Sequence, residues 1–168
     1  MACRITDYMK VEWIAPSLRA TDKPAVLLEF ANLVAAAQGE LDVREIYTKL
    51  MERELKASTG ADHGVAIPHA TLQETQEVMV AFGRSDTGVP FAALDNQDSH
   101  LFFVVLAPAK AKPNQASYLQ LISSICRLMR SQSLRERLGR AQSAQAILDI
   151  LKKEEDLRLA APPTSSVS

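Results

Sequence analysis

From Val26 to Ala37 the apolar residues return at helical spacing. Val26, Leu27, Phe30, Leu33, Val34 and Ala37 fall on one stripe, which predicts an amphipathic helix. Thr21 or Asp22 stands at its N-cap, Pro24 suits the first turn because no N–H is needed there, and Gly39 fits the stop. Ahead of it, Val11 to Ile14 reads as a short extended segment closed by Pro16. A second stripe of Val43, Ile46, Tyr47, Leu50, Met51 and Leu55 predicts another helix. Asp42 opens it, with Glu45 at capping-box spacing. Glu54 falls inside this stripe and Arg53 on its edge. Charges avoid a dry core unless paired, so the last turn faces either a polar cleft or open solvent.

The period then changes. Val78 to Phe82 alternates as a strand with Val78, Val80 and Phe82 on one face, and Gly83, Gly88 and Pro90 punctuate the stretch after it. Asp95-Asn96 suits a tight turn. Leu101 to Leu106 is apolar on both faces, as a central strand covered from both sides would be. Pro108 ends it and opens a mobile Ala/Lys/Pro/Asn connection. A long helix is expected from Gln115 to Arg130, its buried face made of Tyr118, Leu121, Ile122, Ile125, Cys126, Leu128 and Met129. Ser133 and Glu136 have capping-box spacing for a short helix stopping near Gly139. Ser143 caps a last helix with Ala144, Ile147, Leu148 and Leu151 inward. Helices, then strands, then helices argue for an α/β sandwich in which helices cover a sheet. Residues 1–10 read as a lead-in, 11–151 as the folded domain, and 152–168 as a disordered polar tail.

A chain of 168 residues suits one domain. Its net charge of -1 offers no basic field for nucleic acid. The longest apolar runs are strand-sized, which argues against membrane insertion. Arg4, Asp7 and Lys10 break up the start, so no signal peptide is expected and the cytoplasm is the expected compartment. Cys3 and Cys126 are too few and too differently placed for a disulfide framework.

Chemistry gathers between Ser58 and Ala70. A polar turn leads into a short apolar run, and Pro68 presents His69. Pro68 fixes its own φ, biases Ile67 toward extended backbone and removes one ladder donor. That is a rigid way to hold an imidazole at a strand end. A neutral imidazole is nucleophilic at physiological pH. To accept a phosphoryl group it needs one bare nitrogen, a hydrogen bond fixing the other, and donors for the phosphate oxygens. Backbone N–H groups of the turn, at Thr59, Gly60 and Gly64, and the Arg53 guanidinium are candidates. On these residues alone, a surface histidine without chemistry is the simpler reading. His63 lies in the glycine-flanked turn and His100 at the edge of the apolar strand. A metal site from His69, His63 and Glu54 has suitable ligand types but no standard ligand spacing. No metal and no cofactor is expected.

Met51-Glu-Arg-Glu-Leu55, Ser58-Thr-Gly60 and Gly64-Val-Ala-Ile-Pro-His-Ala70 resemble the IIA domain of the bacterial sugar phosphotransferase system, fructose/mannitol type. That family includes stand-alone nitrogen-regulatory IIA proteins. The likeness continues through Leu101 to Pro108 and the Leu119–Met129 helix, so it spans about Val11 to Leu151. It implies a mixed, largely parallel sheet sandwiched between helices. It implies that His69 is phosphorylated on Nε2 by the histidine carrier HPr and that Arg53 helps to hold the phosphate. Downstream, it implies a IIB component or regulatory proteins as partners. The chain departs from the family in two places. Tyr118-Leu119 stands where the family often has a second histidine before a leucine, and Asp62 stands where glycine is common. An added negative charge and a missing cation are expected to slow phosphotransfer. The alternative is a degenerate IIA fold that binds partners without turning over phosphate.

Overall fold

The computed structural model describes residues 3–73, 75–110 and 117–161. After two 3-10 turns, Ile5–Tyr8 and Val11–Trp13, come β1 (Ile14–Ala15), α1 (Lys23–Ala37), α2 (Val43–Lys56), β2 (Val65–Ala66), β3 (His69–Leu72), β4 (Met79–Val89), β5 (Ser99–Pro108), α3 (Tyr118–Leu128), α4 (Gln132–Arg140) and α5 (Ala144–Ala160). The strands form one sheet in the order β1-β4-β5-β2, with β3 following β2 along the same edge of β5. β4 and β5 pair antiparallel, and the other pairings are parallel.

Alternation along β4 and β5 divides the interior into two cores. Val78, Val80, Phe82, Leu101, Phe103 and Val105 pack under α3, α4, α5 and the N-terminal turns. Met79, Ala81, Phe102, Val104 and Leu106 pack under α1 and α2, against Phe30, Ile46 and Leu50. The expected α/β sandwich is therefore correct, with β5 at its centre.

Several local expectations need correction. Val11–Trp13 is a 3-10 turn, and only Ile14–Ala15 extends. β4 runs through Gly83 to Val89 because the glycine fits the packing there. A Cβ on it would lie 2.6 Å from the Phe30 ring and 2.9 Å from Leu18. Asp42 caps α2 through the Arg44 N–H, but Glu45 turns away to accept from the Gln73 N–H, so no capping box forms. Leu55 is 80% exposed, while Glu54 takes the buried position beside it. Cys126 is exposed rather than inward. α3 starts at Tyr118 behind a full Ser117/Gln120 capping box. α4 starts from Ser131 and passes through Gly139, whose surroundings are open. The expected Ala/Lys/Pro/Asn connection falls largely on 111–116, outside the described residues.

The lead-in and the tail are also folded together. Glu155 is only 6% exposed. Its carboxylate accepts from the Ile5 N–H at 2.8 Å, the Thr6 N–H at 3.2 Å and the Thr6 hydroxyl at 2.6 Å. Arg4 and Asp156 add an outer ion pair at 2.7 Å. Residues 152–160 are thus helix rather than disordered tail, because the first turn's orphan donors need that acceptor. Residues 162–168 lie outside the described part. Replacing Glu155 with alanine leaves these donors unpaired and is expected to cost about 3 kcal/mol. Urea unfolding measures it, and an unchanged midpoint would show that water satisfies the donors equally well.

Candidate functional site

β2 and β3 share one edge of β5 because Pro68 interrupts what would otherwise be one strand. Val65 pairs with Leu101 and His69 with Val105. In the gap, the Pro68 carbonyl still accepts from the Val105 N–H at 3.0 Å, so this edge loses only the N–H that proline lacks. The Ile67 carbonyl, on the side turned away from β5, accepts from Nδ1 of His69 at 2.9 Å. Holding the proton on Nδ1 leaves a lone pair on Nε2. Nε2 accepts from Nε of Arg53 at 3.2 Å. The guanidinium is held in turn by the Ala57 carbonyl, 2.8 Å from Nη1, at the C-terminal end of α2.

These two residues lie in a cleft of about 320 Å³ lined also by Lys49, Glu52, Lys56, Ala70, Thr71 and Tyr118. Three cations from α2 face one carboxylate there, with Lys49 and Glu52 paired at 3.6 Å. Such a lining suits an anion. Tyr118 stacks on the imidazole, ring centroids 5.8 Å apart and planes 26° apart. The position expected opposite His69 is therefore there, occupied by an aromatic face. Burial lowers the His69 pKa below its usual value, and the Arg53 charge lowers it further. The Ile67 hydrogen bond and Glu54 act in the opposite sense.

Glu54, just behind Arg53, faces the interior. It accepts from Lys23 Nζ at 2.9 Å and from both the N–H and the hydroxyl of Thr59. The polar setting expected for the end of α2 is therefore real, split between a cleft on the Arg53 side and a buried knot on the Glu54 side. Lys49 and Lys56 were missed in the sequence, although with Arg53 they repeat at positions that share a helix face. The Lys23–Glu54–Thr59 contacts join distant segments, and periodicity holds no trace of them.

The turn donors are not brought to the imidazole. Thr59 N–H is spent on Glu54, Gly60 N–H on the Ser58 hydroxyl at 3.0 Å, and neither residue lines the cleft. Residues 60–66 fold as a hairpin, with Gly60 bridged to Ala66 and the Ala61 N–H on the Val65 carbonyl at 2.7 Å. Its tip takes left-handed φ values of 65° at His63 and 75° at Gly64. The tip adjoins β2, and four residues of β5, about 13 Å, separate Val65's register from that of His69. Gly64 lines a different depression with His63 and His100. Asp62 is exposed at this tip and does not crowd the imidazole. The same separation removes the His69/His63/Glu54 ligand set. Among the described residues, no group of three or more His, Cys, Asp or Glu is placed to hold a metal ion. His100 is exposed, with Nδ1 3.0 Å from the Ser85 carbonyl.

A family model described as the phosphoenolpyruvate-dependent sugar phosphotransferase system, EIIA 2, matches residues 7–154. The chain is 34% identical over 147 residues to a nitrogen regulatory protein of Bradyrhizobium diazoefficiens, covering 88% of this chain and 94% of that one. The crystal structure of nitrogen regulatory protein IIA-Ntr from Neisseria meningitidis superposes with a TM-score of 0.78 at 27% identity, covering 88% of this chain and 98% of the other. A solved complex of the Escherichia coli mannitol enzyme IIA with its phosphorylated enzyme IIB shares the fold, with a TM-score of 0.70 at 19% identity over 86% of this chain and 99% of that one.

Burial and the Arg53 charge together predict the titration of His69. Its midpoint, followed by NMR of the imidazole, is expected below the ordinary value of about 6.5. The imidazole therefore stays neutral at physiological pH, and acidification through that lowered midpoint protonates Nε2. Arg53→Ala is expected to move the midpoint up, because a repelling cation is gone. Burial should still hold it below the ordinary value. A midpoint at or above 6.5 in the unmodified protein would contradict the geometry.

Proposed function

The chain belongs to the phosphotransferase-system EIIA type-2 family, and from that premise we propose that it is a phosphocarrier whose acceptor is Nε2 of His69. The observation that carries this is the imidazole itself, with Nδ1–H tied to the Ile67 carbonyl and the Nε2 lone pair facing Arg53 at 3.2 Å in a cationic cleft. The Nε2 lone pair attacks the phosphorus of a phosphohistidine on an HPr-type donor. The new N–P bond forms as the donor's N–P bond breaks, and that electron pair returns to the donor ring. Charge builds up on the His69 ring as it is phosphorylated, and the Ile67 carbonyl disperses it through Nδ1–H. Arg53 moves its N–H from the occupied lone pair to a phosphate oxygen. Lys49 and Lys56 balance the remaining charge at the rim.

Onward transfer goes to a IIB component, as the mannitol complex supports for that relative, or the phosphorylation state is read by regulatory proteins, as the nitrogen regulatory relatives suggest. The cytoplasm is the compartment where these partners meet it. Among the described residues, no helix is long and apolar enough to cross a membrane. The degenerate-module alternative is not favoured. Its two motives were Asp62, which stands away from the imidazole, and Tyr118, which packs on it.

Supplying phosphoenolpyruvate, enzyme I and HPr should give acid-labile phosphate on the protein by intact-mass analysis, and none on His69→Ala. Arg53→Ala should slow the transfer on the order of 100-fold. Transfer should fail as pH drops through the lowered His69 midpoint. A chain that stays unmodified with a matched HPr would end the carrier reading.

A further inference from the structure

Tyr118 is the first residue of α3, directly after the Ser117 cap. That cap is closed in both directions, with the Gln120 N–H on the Ser117 hydroxyl at 3.2 Å and the Ser117 N–H on the Gln120 side chain at 2.9 Å. The backbone under the phenol ring is therefore fixed. One side of the ring packs against the core under α3, and the cleft side meets the face of His69. The offset, near-parallel arrangement lies in the range where aromatic pairs attract.

Two hydrogen bonds in the imidazole plane hold that ring, one at each nitrogen. The Arg53 bond must break when phosphate arrives, which leaves the Ile67 bond as the only in-plane restraint. A ring pinned at one nitrogen can still tilt about that bond. The Tyr118 face opposes this tilt.

We propose that Tyr118 is a positioning residue for phosphoryl transfer, its uncharged ring keeping the Nε2 lone pair aimed into the cleft when Arg53 shifts to the phosphate. This rests on the carrier reading above. The working part is the ring face and not the hydroxyl. Among the described residues, the charged groups around the imidazole, namely Arg53, Glu54, Lys49, Glu52 and Lys56, come from α2. α3 contributes the aromatic face of Tyr118.

Transfer from phospho-HPr to the full chain tests this, with donor concentration and pH varied. Tyr118→Phe should match the wild type in limiting rate and in pH profile. Tyr118→Ala should lower the limiting rate about threefold to tenfold with little change in the donor concentration at half-maximal rate. Tyr118→His should restore a ring face and add a second ionisation between about pH 5 and 8. In parallel, the imidazole NMR signals of His69 should lose their ring-current shift in Tyr118→Ala and keep it in Tyr118→Phe. An alanine variant as fast as the wild type would overturn the proposal while leaving the carrier reading intact. So would a phenylalanine variant as slow as the alanine one, since the hydroxyl would then be the working group. Absence of phosphate on the wild-type chain would overturn both.

Discussion

Burial of β5 on both faces is the constraint that shapes the other elements. Residues 101–107 are all buried, so each backbone N–H and C=O of that strand needs a partner inside the protein. β4 supplies partners along one edge over nearly its full length. Along the other edge, β2 and β3 share the task, and the break between them falls at Pro68. Pro68 cannot donate, but its carbonyl still serves Val105. The interruption therefore costs this edge one donor and keeps the acceptor. Ile67 faces the opposite side, its N–H on the Thr59 carbonyl, and its own carbonyl selects the tautomer of His69. The edge that completes the core thus also carries the nucleophile.

Position along α2 separates two charges that are adjacent in sequence. Glu54 turns inward and is nearly covered, at 7% exposure. Lys23 from α1 and Thr59 from the following loop satisfy it, and Lys23 also lies over the Phe91 ring at 4.6 Å. Breaking such a knot by removing one partner strands a buried charge, which is far costlier than losing a surface ion pair. Arg53 turns outward, and its guanidinium is already committed to the Ala57 carbonyl before any ligand arrives. The knot holds the end of α2 and the start of the hairpin at one spacing, so the cation meets the imidazole without ordering a long side chain at the moment of reaction.

The features legible in the sequence were those that repeat locally. β5 announced itself by an apolar run, α1 by Asp22 and Pro24, α5 by Ser143, and the acceptor by Pro68-His69. The errors arose where a distant partner decides. Gly83 looked like a strand end because nothing nearby in sequence reveals that Phe30 and Leu18 fill the space a side chain would take. Thr59, Gly60 and Gly64 looked like phosphate donors because they precede His69 closely along the chain. The hairpin, however, carries the tip toward β2's start and spends the earlier N–H groups on Glu54 and Ser58. Leu55 looked buried by period, but the inward place beside it belongs to Glu54, whose carboxylate is paired with Lys23 and Thr59. The carboxylate that closes the first turn lies 150 residues beyond it, out of reach of any window.

That last separation also bears on synthesis. While the chain emerges from a ribosome, the Ile5 and Thr6 amides have no native acceptor until Glu155 appears. The sheet face carrying Phe82, Phe103 and Val105 likewise awaits α3, α4 and α5 for its cover. The nascent polypeptide can assemble its α1–α2 side early, but one apolar face of the sheet stays bare until translation has passed residue 155. For that interval the unfinished chain exposes apolar surface of the kind that aggregates, until the C-terminal helices cover it and Glu155 reaches the first turn.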